Sequence, residues 1–148
     1  MRFVDANVFH YYIFKSKYTD QIATLFKKYH DLATSIGVLD EVMFVIIRRL
    51  AERRLGIRKI DKLRSYIRAK GLDFAVDKLA EFVELIEGLG IVVLQDHADP
   101  KDLFETMTEY NLPPSDAIIA LTCKHYGINT ILTFDKDFKD IPWLKVIP

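Results

Sequence analysis

A single cysteine among 148 residues, Cys123, excludes internal disulfides and any cysteine zinc site. The four histidines, His10, His30, His97 and His125, are scattered and form no zinc-type spacing. No apolar run reaches the roughly 18 residues that a membrane helix needs, so no membrane association is expected. The chain opens on a strand-like segment rather than on a charged leader with an apolar core. No signal peptide is therefore expected, and a cytoplasmic protein is the simplest reading. Asn occurs three times and Gln twice, against 21 Lys and Arg, which leans toward a heat-adapted source. Net charge is also missing, because 21 acidic residues balance the basic ones. That balance argues against a generally sticky nucleic-acid coat. Internal repeats, low-complexity tracts and linkers are absent.

What is present is core. Half the residues are hydrophobic, with ten Phe, seven Tyr and one Trp, enough for one globular domain spanning 1–148. The charge, though balanced, is uneven. Ten basic residues lie between Arg48 and Lys70 against two acids, Glu52 and Asp61, and the rest of the chain is net negative by the difference of eight.

Periodicity predicts a strand ending at Asp5, then a helix from Ala6 to Phe14. A second helix, capped by Thr19 or Asp20, carries Ile22, Leu25 and Phe26 at helical spacing. A brief strand over 33–36 precedes a long helix from Val38 to Leu55, whose inward stripe is Val42, Val45, Ile46 and Leu50. Gly56 stops it. Residues 58–69 form a basic helix broken by Gly71. Phe74 to Glu87 form another, burying Leu79, Phe82, Val83 and Ile86. Ile91 to Leu94 is a continuous apolar run, expected of a strand covered on both faces. Asp99 and Pro100 open a helix to Tyr110, and Pro113-Pro114 opens the next, which ends at Gly127. A strand over 129–134, a tight turn or short helix over 135–138 and an edge strand over 144–147 complete the chain. Such alternation means an α/β fold: a mostly parallel sheet flanked by helices, with an all-helical crossover insertion at about 38–88.

Acids recur where this fold binds ligands. Asp5, Asp135 and Asp137 fall at carboxyl edges of strands, while Glu41 and Asp116 fall in first turns of helices. Each has a plain reading: Asp116 and Glu41 serving helix N-termini, Asp135 and Asp137 as turn residues, Asp5 in an Asx turn. Asp40 reads as a cap or a solvated residue. The joint pattern is what points to chemistry. Carboxylates gathered in one pocket repel, and a hard cation, Mg²⁺ or Mn²⁺, relieves the repulsion through oxygen ligands. Such an ion activates water and neutralises phosphate charge.

Phe3-Val4-Asp5-Ala6-Asn7-Val8, Ser35 followed by Glu41, Pro114-Ser115-Asp116-Ala117-Ile118-Ile119-Ala120 and Leu132-Thr133-Phe134-Asp135-Lys136-Asp137-Phe138 occur in series. In order and spacing they resemble the PIN-domain family, especially its VapC-type toxin ribonucleases. The resemblance covers nearly the whole chain. It implies a PIN-like fold with a central five-stranded parallel sheet, and a Mg²⁺-dependent endonuclease for single-stranded RNA leaving a 3′-hydroxyl and a 5′-phosphate. It also implies a homodimer and a possible antitoxin protein as partner. By position, Asp5 and Asp116 match the main metal ligands, Glu41 the third acid and Asp135 the fourth, with Asp137 as its substitute. Asn7, Thr133 and Ser115 match supporting polar positions. Part of the basic stretch, Arg48, Arg49 and Arg53, is a candidate RNA-phosphate contact; a solvated helix face or a contact with an acidic antitoxin tail are its other readings.

Three further functions compete. One is a PIN-type RNA-processing nuclease without an antitoxin, and another is a catalytically silent binding domain. The third, a receiver-like regulatory domain, needs a phosphoacceptor Asp ending a middle strand. Asp96 is the only candidate, and no fitting Lys follows Thr133.

Overall fold

The computed structural model describes residues 1–148. Five short strands form one sheet: β1 (Arg2–Val4), β2 (Leu32–Ser35), β3 (Val92–Leu94), β4 (Thr130–Leu132) and β5 (Lys145–Ile147), in the order β3-β2-β1-β4-β5. Every neighbouring pair is parallel. The chain steps outward from β1 to β3, then returns to lay β4 against the free side of β1. That reversal is the switch point of a doubly wound sheet, and it opens a crevice at the carboxyl ends of β1 and β4.

Seven α-helices supply the layers: α1 (Ala6–Ile13), α2 (Thr19–Lys28), α3 (Ile36–Leu50), α4 (Ile60–Lys70), α5 (Val76–Gly88), α6 (Pro100–Tyr110) and α7 (Pro114–His125). The crossover from β2 to β3 is wholly helical, built from α3, a π-turn at Ala51–Leu55, α4 and α5. Gly56, with φ of 69°, ends the π-turn in a left-handed conformation that a residue with a Cβ resists. Thirty-one buried residues make one continuous core, centred on Phe3, Phe9, Phe82, Phe138, Ile131 and Leu132.

Four expectations are corrected. Helix α3 begins at Ile36, because the Ser35 hydroxyl accepts the Val38 N–H at 3.3 Å and caps it. Glu41 therefore sits in its second turn, not its first. Strand β3 lies at the sheet edge rather than inside it, and Val92 and Val93 are 47% and 36% exposed, so the run is not covered on both faces. Val83, expected inside, is exposed on α5. The receiver-like reading also falls, since Asp96 follows this edge strand rather than a middle one.

Candidate active site

Register sets the centre of the crevice. Phe3 pairs with Ile131 and Val4 with Leu132, so the next residues along, Asp5 and Thr133, face each other where both strands end. The Asp5 backbone N–H donates to the Leu132 carbonyl at 3.0 Å, fixing that alignment. Asp5 is buried, and both its carboxylate oxygens accept hydrogen bonds. One carboxylate oxygen accepts the Ala6 N–H at 2.7 Å, capping α1, and the other accepts the Thr133 hydroxyl at 2.7 Å. Asn7 bridges the two strands: its amide NH₂ donates to Thr133 Oγ1 at 3.1 Å, and its carbonyl accepts the Phe134 N–H at 3.2 Å. The Asp135 N–H donates to Thr133 Oγ1 at 3.0 Å, so one hydroxyl ties both segments together.

Three carboxylates close the mouth. Asp116 lies in the first turn of α7, which has Pro114 at its start and no side-chain cap. Asp135 caps a short 3-10 turn (Lys136–Asp140) by accepting the Asp137 N–H at 2.9 Å, so Asp137 follows in that turn. Each of Asp116, Asp135 and Asp137 offers an oxygen within 4.8 Å of the others. Both acids of the last segment thus reach Asp116. Glu41 comes from α3 and is exposed, yet it feels the charge of Asp5, and Asp116 feels the charge of Glu41. Ser115, one residue before Asp116, is exposed and stays outside the network around Asp5. Asp40 is exposed beside Glu41.

Crowding shows in the proton affinities. Asp116 is pushed up to about 7, first by burial and then by Asp5, Asp135, Glu41 and Asp137. Burial also raises Asp5, against the lowering pull of the Thr133 and Ala6 hydrogen bonds, and Asp135 adds to the rise. Glu41 is raised by partial loss of water, then by Asp5 and Asp40. Burial, and after it the charge of Asp5, pushes the Cys123 thiol up to about 12, which makes it inert.

No Lys or Arg pairs with any of the five acids. An all-oxygen, uncompensated donor set of this kind fits a hard divalent cation and not a zinc-type ion.

Of the basic candidates, Arg48 lies over the Phe44 ring at 5.8 Å, and Arg49 and Arg53 lie over Phe14 at 5.1 and 5.3 Å. Sequence reasoning passed over His10, whose Nδ1 is buried without a protein hydrogen-bond partner. A lone histidine on a helix gives no warning of that. Nor did it anticipate the approach of Asp96, whose carboxylate lies so near α3 that a Cβ on Gly37 would meet it at 2.8 Å.

Fold and site together define a doubly wound α/β protein with a carboxylate cluster in its switch-point crevice. The PIN domain model matches residues 2–144, and the chain belongs to the PIN-domain family. Two relatives come from Methanocaldococcus jannaschii. Ribonuclease VapC2 is 33% identical over 111 residues, 74% of this chain and 67% of that protein. Ribonuclease VapC6 is 49% identical over 39 residues, 26% of each. Among solved structures, VapC20 of Mycobacterium tuberculosis, a sarcin-ricin-loop-cleaving toxin, aligns over 100% of both chains with a TM-score of 0.62 at 19% identity. VapBC2 of Rickettsia felis, bound to a DNA fragment from their promoter, aligns over 99% of this chain and 96% of that one with a TM-score of 0.58 at 20% identity. These two likenesses establish the fold.

Proposed function

We propose that this VapC-type PIN ribonuclease is a Mg²⁺- or Mn²⁺-dependent endonuclease for single-stranded RNA, acting as the toxin of a toxin–antitoxin pair. The observation that carries the reading is the meeting of Asp116, Asp135 and Asp137 within 4.8 Å beside the buried Asp5. Asp5, Asp116 and Asp135 would hold the cation, with Asp137 in reach as an alternative, and Glu41 would complete the acid set. The ion, when bound, neutralises phosphate charge and makes water a stronger nucleophile. The protein's own groups do the rest. Thr133 and the Ala6 N–H orient the Asp5 carboxylate, and Asn7 locks the two strand ends that carry it. Glu41, raised and still open to solvent, is suited to take the proton of the attacking water.

The partner is a small antitoxin protein, and the assembly a homodimer. Two findings support the antitoxin: the 33% identity to a VapC ribonuclease, and a structural neighbour that is a VapBC complex on promoter DNA.

The test uses metal-stripped protein and matched single- and double-stranded labelled RNAs. Cleavage of the single strand is expected on adding Mg²⁺ or Mn²⁺. It is expected to vanish in Asp5→Asn, with circular dichroism unchanged. Full activity of a clean Asp5→Asn preparation, or undiminished activity in excess chelator, overturns the mechanism.

A further inference from the structure

A second cavity of about 320 Å³ lies where α1, α3 and α4 meet. Its polar lining is His10, Arg48, Arg49, Arg58 and one acid, Glu52, and its apolar lining includes Val45 and Leu63. Arg58 is answered by Glu52 at 3.2 Å. Arg48 and Arg49 have no carboxylate partner and rest on aromatic rings instead. Burial and the nearby Arg49 lower His10 to about 4, so its imidazole is neutral. The cavity is therefore lined by two arginines without carboxylate partners beside apolar side chains, which is the reverse of the acid cleft.

Helix α3 joins the two. Glu41, Val45, Arg48 and Glu52 recur at steps of four, three and four, which keeps one face in line. Glu41 to Arg48 is seven residues, roughly 10 Å at 1.5 Å per residue. Helix α1 follows the same course, leaving Asp5 at its cap and reaching His10 in its second turn. A seam between α1 and α3 thus leads from the carboxylates to the guanidinium groups.

We propose that this cavity seats a phosphate of the single-stranded RNA outside the scissile bond, with Arg48 and Arg49 donating to its oxygens and the apolar lining meeting the adjoining nucleoside. The inference rests on the nuclease reading and adds a substrate subsite to it. Guanidinium forks match phosphate oxygens, and the cavity is of single-ligand size. An extended polyanion suits both ends of the seam, because a cation bound in the cleft would answer its charge there. An acidic peptide is the competing occupant, and the poly-glutamate arm of the test separates it from RNA. Arg53 is excluded from the subsite: it shares the Phe14 ring with Arg49 but lines a different cavity, with Lys15, Lys78 and Glu81.

The subsite is tested by anisotropy of a labelled RNA decamer binding to the full chain in excess chelator, where cleavage is silent. The Arg48→Gln/Arg49→Gln variant is expected to bind about tenfold more weakly or worse, with a shallower salt slope, and Arg53→Gln to bind within about twofold of wild type. Arg48→Lys/Arg49→Lys, which keeps the charge, is expected to recover part of the loss. In Mg²⁺, the Gln double variant is expected to raise KM for the decamer with little change in kcat, and to leave a dinucleotide substrate unaffected. Unchanged decamer affinity, or an equal loss in Arg53→Gln, overturns the proposal. So does a poly-glutamate peptide that binds the cavity in preference to RNA. A wild-type protein that binds the decamer through Arg48 and Arg49 but cleaves nothing in either metal sinks the nuclease reading and leaves the subsite standing.

Discussion

Crowding at Asp116 has a measurable sign. Its carboxyl in the folded chain titrates at about 7, well above the ordinary carboxylate value of 3.8. Between those two pH values the folded state holds a proton that the unfolded state has lost. Metal-free stability therefore falls as pH rises through that window, and the stabilising contribution is fully present only below about 4. Asp116→Asn is expected to raise the metal-free melting temperature at pH 8, by a stability gain on the order of 1 kcal/mol, and to change it little at pH 4. Urea unfolding of both proteins at the two pH values measures this, and equal shifts at both would remove the repulsion argument. At the same scale, Asp5, Asp116, Asp135 and Asp137 were legible because each sits beside an element boundary, whereas Glu41 lies a turn inside α3. The Asp5–Thr133 bond was not legible as a contact, since it depends on the register of two strands more than 120 residues apart.

At the scale of elements, the helices were easier to read than the strands. Helical stripes such as Val42, Ile46 and Leu50 announce themselves by period, and all three are buried. Strands of three or four residues have too few positions to declare a face, and their exposure depends on neighbours chosen by topology. Strand β3 is the instance: four apolar residues in a row look central, yet the chain sets them at the edge. The start of α3 slipped by two residues because Ser35 ends one element and caps the next. The π-turn after α3 was invisible, but its stop was not. Gly56 has open space around its absent Cβ and a left-handed backbone, so Gly56→Ala introduces strain without a clash. The expected loss is about 1 kcal/mol, read as a lower urea midpoint with an unchanged m-value; a neutral substitution would mean that the turn relaxes.

Across the whole molecule, charge is sorted: the acids crowd one end of the α1–α3 seam and unanswered arginines the other. A cation that fills the cleft binds the folded chain and not the unfolded one, so it must stabilise. At a hundredfold excess over Kd the gain is about 2.7 kcal/mol. Mg²⁺ or Mn²⁺ is expected to raise the melting temperature of wild type at pH 8 in a concentration-dependent way, and to do so far less in Asp116→Asn. Scanning calorimetry over a metal titration checks it, and an equal rise in both proteins would place the ion elsewhere. The doubly wound topology has one more outcome. The strands flanking the crevice are the first and the fourth, and the residues around it run from Asp5 to Asp137. A nascent polypeptide still emerging from the ribosome at residue 110 owns Asp5 and Glu41 but lacks Asp116, Thr133 and the final pair of acids. On the proposed reading, the carboxylate cleft is therefore assembled only after most of the chain has been made.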